Sequence, residues 1–432
     1  MSDAPPRGRR VVITGIGLLT ALGEGRRDTW TRLLAGDSAV GPVRGYDPAS
    51  FRTRLAAEIE DFDATRYAPR RALRTTTRND RLAIAGAALA VRDAELDFGA
   101  YDPERAAAFV GGNKEISNPE HLLRGSLAAR RPDGRADYGL LGERASAAFY
   151  PLYYVEGLQS AALYHLSAAY GLKGPNAYFH GTADASATAV GRAYRAIRRG
   201  EAEVALAGGC DDAASWWVTS KMDGLGVLST RNDLGAEAFR PYDADRSGSV
   251  LGDGAAFLVL EEYQAALRRG AHVYAEIRGF GSTLDSDRLL TPAPSGAPLA
   301  AAVGHALQEA GTDPGGVDYV ATHGCATRAG DASEARALRT VFEGAARPPV
   351  ASSVKPATGH LVAAAGALNA AVCALAIDGG AVPPTLNLQR PDPACAGLDW
   401  VPGQAREMPV RGAVALARGL EGQQVALALT AA

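Results

Sequence analysis

Two histidines stand in short segments suited to acid–base chemistry: His323 in Thr322-His323-Gly324, and His360 at the end of Lys355-Pro356-Ala357-Thr358-Gly359-His360. An imidazole exchanges protons near neutral pH and donates hydrogen bonds, so two aimed at one carbonyl would stabilise the negative charge that develops there. Lys355 adds a cation able to orient or charge-balance such a site. The plainer reading of any single histidine is a packed core or surface residue, and the structural alternative here is a fold that simply retains both. A third segment, Gly174-Pro175-Asn176-Ala177-Tyr178-Phe179-His180-Gly181-Thr182-Ala183-Asp184-Ala185-Ser186, lies between Gly174-Pro175 and the downstream anchors Gly200 and Ala207-Gly208-Gly209. Its centre presents Ala183 and Asp184 and no thiol.

The elements that must position these residues belong to a long chain of mixed class. Its 432 residues, 47% of them hydrophobic, can bury a large interior, and single cores divide beyond about 250–300 residues, so two halves are expected. The 45 basic and 48 acidic side chains nearly cancel, which leaves no global charge signal for nucleic acid or an anionic membrane. Cys210, Cys325, Cys373 and Cys395 are widely spaced, which argues against a metal site or a disulfide framework and fits a reducing cytoplasm. The first residues carry basic side chains without an apolar run behind them, so no secretory signal is expected. The apolar run Leu361 to Ile377 contains Asn369 and Gly366, and reads as a buried helix starting after His360 rather than as a membrane span.

A β-branched run from Arg10 to Gly17 ends in Gly-x-Gly, and Val273 to Gly281 repeats that shape. The repeat suggests two similar, strand-initiated halves, here placed at 1–264 and 265–432, with the junction after the run Phe257 to Leu260. Asp80 to Leu96 and Ala187 to Arg199 have helical apolar spacing, the second with a basic end that suits a helix C-terminus. Arg130-Arg131-Pro132-Asp133-Gly134-Arg135 has turn chemistry and concentrated positive charge.

The three segments resemble, in order, the nucleophile elbow, the two histidine motifs and the lysine of the β-ketoacyl-ACP synthases, most closely the synthase II type of the thiolase superfamily. Further matches run nearly end to end, through Leu228-Ser229-Thr230-Arg231-Asn232-Asp233, Val250-Leu251-Gly252-Asp253-Gly254 and Pro383-Pro384-Thr385-Leu386-Asn387. The resemblance implies an α/β thiolase fold, a duplicated unit in a five-layered αβαβα arrangement that works as a two-fold dimer. It also implies a substrate delivered on the phosphopantetheine of an acyl carrier protein, with no cofactor or metal of the chain's own. An ungapped alignment between the two anchors puts Ala183 on the nucleophile's position; one insertion and one deletion would put Asp184 there. Neither can be acylated as a thiol is: a methyl cannot attack, and a carboxylate is a weak nucleophile that would give a mixed anhydride.

Other departures accompany this one. Cys325 stands where the family has a hydroxyl that holds pantetheine, Arg328 replaces a proline, and His180 and Gly181 differ from the small or hydroxylic residues expected. The gating loop has become Gly419-Leu420-Glu421-Gly422-Gln423-Gln424, keeping Gly419 and Gly422 but putting Leu420 in place of an aromatic gate. A laboratory Cys-to-Ala change would leave the elbow's neighbours and the distant gate intact, so the set fits a natural relative. The pattern resembles the chain-length factor, or ketosynthase β subunit, of type II polyketide synthases, which pairs with a Cys-containing ketosynthase. On that reading Asn113, Lys114 and Ile116 line or close a substrate tunnel, and Arg130, Arg131 and Arg231 meet the carrier protein. His323, His360 and Lys355 form a residual acid–base set, which leaves a second reading open: a malonyl-ACP decarboxylase supplying acetyl starter units.

Overall fold

In the computed structural model, which describes residues 8–116, 118–149 and 151–432, the repeated Gly-x-Gly shape becomes a pair of central strands. The first half supplies β1 (Val11–Thr20), β2 (Ala106–Gly112), β3 (Asn176–His180), β4 (Val204–Asp211) and β5 (Gly254–Glu262). The second supplies β6 (Ala275–Leu284), β7 (Tyr319–Ala321), β8 (Val350–Ser352), β9 (Asp399–Trp400), β10 (Gly412–Arg418) and β11 (Gln423–Thr430). Hydrogen bonding runs β3-β2-β4-β5-β1 in one half and β8-β7-β10-β11-β6 in the other, with β9 outside β8. The two orders are the same, and in each the last strand in sequence, β5 or β11, runs antiparallel to both its neighbours. Antiparallel pairing of β1 with β6, Val11 opposite Ile277, joins the halves into one continuous sheet.

The duplication extends to single residues. Each central strand carries a register shift, between Ile13 and Gly15 and between Ile277 and Gly279. A side chain at Gly15 or Gly17 would strike the backbone of the helix at Ala90 and Gly86, and one at Gly279 or Gly281 would strike Ala306 and Ala302. The glycines therefore let a helix lie directly on the strand, once in each half.

The helices of the described residues include α1 (Arg78–Asp93), α2 (Pro119–Ala128), α3 (Tyr138–Ala148), α4 (Ala161–Tyr170), α5 (Asp184–Arg198), α6 (Trp216–Leu225), α7 (Ala297–Ala310), α8 (Arg328–Phe342) and α9 (Ala365–Gly379). The pairs α1 and α4, and α7 and α8, cover the outer faces of the two sheet halves, while α5 and α9 pack together between them. The result is the mixed α/β, five-layered thiolase arrangement. Being apolar all round, α9 suits only the middle layer. The segment Val362–Gly379 is long and apolar enough to cross a membrane, but 83% of it is buried inside the protein. Asn369 is satisfied there by donating to the Thr322 and Leu416 carbonyls at 3.0 and 2.8 Å. Gly366 brings α9 against the start of α5: a Cβ on it would lie 2.7 Å from the Ala183 carbonyl oxygen.

Candidate active site

The ends of β7, β10 and α5 converge on one cleft, whose lining includes Thr182, His323, Cys325, His360, Val362 and Arg418, and whose mouth carries Leu420 and Arg288. His323 leaves the end of β7. Its amide and that of Gly324 both donate to the buried Glu334 carboxylate, at 2.7 and 2.9 Å, and the Tyr242 hydroxyl donates to the same group at 2.8 Å. Gly324 takes φ +43° and packs on Ser353, so a fixed turn aims the imidazole.

His360 follows Gly359, whose φ of +73° and approach to Gly252 exclude any side chain. The His360 amide donates to the Val250 carbonyl at 2.8 Å. Its Nδ1 accepts from the Val362 amide at 3.0 Å, which leaves the proton of the neutral ring on Nε2. The two rings meet edge to face with centroids 5.4 Å apart. Burial first, and the Lys355 charge second, hold both imidazoles well below their ordinary range, so they enter the cleft neutral. Lys355 is 2% exposed, donates to the His323 carbonyl, and is pushed by burial down to about 8. The structure thus brings His323, His360 and Lys355 together, as their motifs predict.

Ala183 is buried immediately before the first turn of α5, and Thr182 beside it reaches the cleft. The helix N-terminus therefore delivers a methyl group where partial positive charge and backbone amides would favour an anion. Asp184 turns away to lie against Gly181 and Gly419, with Oδ1 unpartnered, and burial pushes its carboxyl up to about 6. Gly419, Leu420 and Gly422, read above as a gating loop, line the cleft between β10 and β11, and the Leu420 amide donates to Thr182 Oγ1 at 3.0 Å. Cys325 is also in the cleft, 3.2 Å from Thr327 Oγ1, and burial followed by the Asp331 charge pushes its thiol up. That makes it a poor source of thiolate.

Two further sets of predicted residues lie away from the histidines. Asn113, Lys114 and Ile116, read as lining or closing a tunnel, line a second cavity, separate from the histidine cleft, with Arg78, Asp211, Asp212, Trp216 and Trp217. The Lys114 ammonium is committed to Asp80 at 2.7 Å, both side chains almost fully buried. Of the arginines assigned to carrier docking, Arg130 is exposed, but Arg131 is held by Asp137 at 2.7 Å and Arg231 by Asp233 at 2.8 Å. A local carboxylate thus already neutralises two of the three.

Residues that the motifs did not point to complete the cleft. Glu334 sets the His323 turn, and Arg418 closes the otherwise apolar strand Gly412–Arg418. An arginine ending an apolar strand just before the gating segment was the available signal for the second.

Models of the beta-ketoacyl synthase N-terminal and C-terminal domains match residues 8–266 and 274–389. The chain is 35% identical over 422 residues to 3-oxoacyl-[acyl-carrier-protein] synthase 2 of Coxiella burnetii, covering 98% of each protein. It is 36% identical over 424 residues to the granaticin polyketide putative beta-ketoacyl synthase 1 of Streptomyces violaceoruber, again covering 98% of each. Among solved structures, the ishigamide ketosynthase/chain length factor superposes with a TM-score of 0.85 at 30% identity, over 98% of this chain and all of that one. With matches of this extent and a duplicated five-layer fold around two converging imidazoles, the chain belongs to the beta-ketoacyl synthase family.

Proposed function

We propose that this chain is a non-condensing, chain-length-factor subunit that pairs with a Cys-containing ketosynthase and shapes the space into which that partner's acyl chain grows. The observation that carries the reading is Ala183 at the start of α5: the loading step needs a thiolate at a helix N-terminus, and a methyl group forms no acyl bond there. Cys210, Cys373 and Cys395 are buried elsewhere, and their thiols are pushed up by burial.

The exposed surface of the first half supports such a partner. Strand β3 is the sheet's edge and pairs with β2 on one side only. Helix α4, which packs near β3, exposes Tyr164; elsewhere in the first half α2 and α3 expose Leu123, Leu127 and Tyr138, and Tyr154 is 80% exposed between α3 and α4. An open edge beside an apolar surface is what a large, obligate subunit contact covers. The relatives named for acyl-carrier-protein synthases and for a ketosynthase/chain length factor support a carrier-delivered substrate and this kind of partner.

Intact-mass measurement after exposure to acyl-ACP tests the site: no stoichiometric acyl adduct is expected, and one mapping to residues 180–187 or to Cys325 would overturn the reading. Reconstitution with a ketosynthase tests the role. A 1:1 complex is expected, with shorter products when Ile116→Trp fills the second cavity; products that are the same with and without this chain would refute it.

The neutral pair His323 and His360 favours a second reading, decarboxylation of malonyl-ACP, because two imidazole N–H donors suit an enolate. On that reading His323→Ala or His360→Ala lowers carbon dioxide release by about 10²–10³. Release no higher than background, with and without the partner, excludes it.

A further inference from the structure

Five cations are buried among the described residues: Lys114, Arg240, Arg246, Lys355 and Arg418. Lys114 is matched by Asp80, Arg240 by Asp243 and Glu237, and Arg246 by Asp392 and Asp331, all within 3.7 Å. Lys355 and Arg418 have no carboxylate within ion-pair distance among the described residues, and both lie beside His323. Arg418 is only 9% exposed; one terminal nitrogen donates to the Gly330 carbonyl at 2.9 Å, while Nε is buried without a partner. Asp285, the acid of the cleft lining, spends its carboxylate on the Asp287 and Ala293 amides at 3.1 and 2.7 Å. A guanidinium taken from water without a counter-ion is costly, and the usual resolution is an anion from outside the chain.

The surroundings narrow the anion. Beside Arg418 the cleft offers the His323 imidazole, whose Nδ1 is also buried and unpartnered, and the Thr327 hydroxyl. Its remaining walls are mostly apolar, from Met222, Leu228, Leu251, Leu290 and Val362, with the polar side chains of Thr182, Ser249, Thr291 and Gln424 among them. A narrow, mostly apolar cleft with one planar fork at its inner end suits a carboxylate on a short acyl group, because the fork matches two carboxylate oxygens. A phosphate of the carrier arm would remain at the mouth, where the exposed Arg288 stands.

We propose that the histidine cleft is a site for a carboxylate-bearing acyl thioester, with Arg418 gripping the free carboxylate as the specificity-determining residue. The inference rests on the cleft being the acyl-thioester site proposed above, and adds the residue that selects among acyl groups there.

The test is calorimetric titration of the full chain with malonyl-CoA, succinyl-CoA and acetyl-CoA, which share the same carrier arm. Malonyl-CoA or succinyl-CoA is expected to bind at least about tenfold tighter than acetyl-CoA, the scale of a charge-assisted hydrogen bond. Arg418→Gln should bring the three ligands to equal affinity, and Arg418→Lys should restore part of the preference. Arg288→Gln should weaken all three alike. Equal binding of the three by the unmutated chain, or a preference unchanged in Arg418→Gln, overturns the proposal. Should Arg418→Gln fold poorly, the Arg418→Lys protein and the three-ligand comparison on the unmutated chain still decide. The reading as a partner subunit fails separately, through the absence of a complex with a ketosynthase.

Discussion

The histidine cleft and the second cavity lie in the same molecule and treat buried charge in opposite ways. In the second cavity Lys114 meets Asp80, Arg78 spans Asp212 and Asp253 at 3.0 and 2.9 Å, and Lys221 meets Glu115 at 2.6 Å. At the cleft neither Lys355, behind His323, nor Arg418, in the lining, has a carboxylate within ion-pair distance among the described residues, and the Glu334 and Asp331 charges reach Lys355 only from farther off. A charge matched inside the chain serves the fold, whereas a charge left unmatched in a cleft is held for something that arrives. The sharpest way to break the contrast is to unbalance the matched side. Asp80→Asn leaves the Lys114 ammonium buried without its partner and also removes the Thr77 capping box of α1. A loss of about 3–5 kcal/mol is expected from the ion pair, and denaturant unfolding measures it; a loss below about 1 kcal/mol would show that water already reaches this pair.

Next in size is an opposite response to pH. Burial pushes the Lys355 ammonium down to about 8, from 10.5 in the open chain. Between these values the folded chain has released the proton and the unfolded chain keeps it, so stability rises with pH from about 8 to 10.5. The rise is on the order of 3 kcal/mol. Asp211, in the second cavity, is pushed by burial up to about 8 from 3.8. Its stabilising contribution is complete below pH 3.8 and is lost as pH climbs to 8, the reverse slope in a lower window. Stability measured from pH 4 to 10 should lose its alkaline rise in Lys355→Met and its neutral fall in Asp211→Asn. Parallel curves for both variants and the unmutated protein would show that neither group is as dry as its position indicates.

How much of this was legible in the sequence depends on range. The duplicated strand with Gly-x-Gly, the buried helix after His360 and the meeting of Lys355 with both histidines were readable, because each is written as a local pattern that one close approach explains. Gly279 and Gly281 sit under α7 as Gly15 and Gly17 sit under α1. The position of Asn113, Lys114 and Ile116 was not readable, since which side of β2 the chain turns to after Gly112 is decided by the packing of α1 and the Lys114–Asp80 pair, 34 residues apart in sequence. The pairing of Arg131 and Arg231 was hidden differently. Their partners Asp137 and Asp233 are only six and two residues away, but charge alone does not say whether a neighbouring carboxylate folds back onto it.

That last point yields the smallest effect. Arg231 and Asp233 form an exposed pair, and such pairs add little to stability, so neither Arg231→Ala nor Asp233→Asn should move the melting temperature. If Arg231 meets an acidic carrier protein, Asp233 competes for it, and removing the competitor frees a guanidinium for the encounter. Asp233→Asn should then speed association with the carrier protein a few-fold at low salt, while Arg231→Ala slows it by a similar factor, since charges at the rim of a contact act mainly on the association rate. Both differences should vanish near about 1 M salt, where the screening length is about 3 Å. Stopped-flow association rates across a salt series measure this directly. Rates for the two variants equal to the unmutated protein's at low salt would remove Arg231 from the docking surface and leave Arg130, the one exposed arginine of the set without a carboxylate partner among the described residues, as the residue to test.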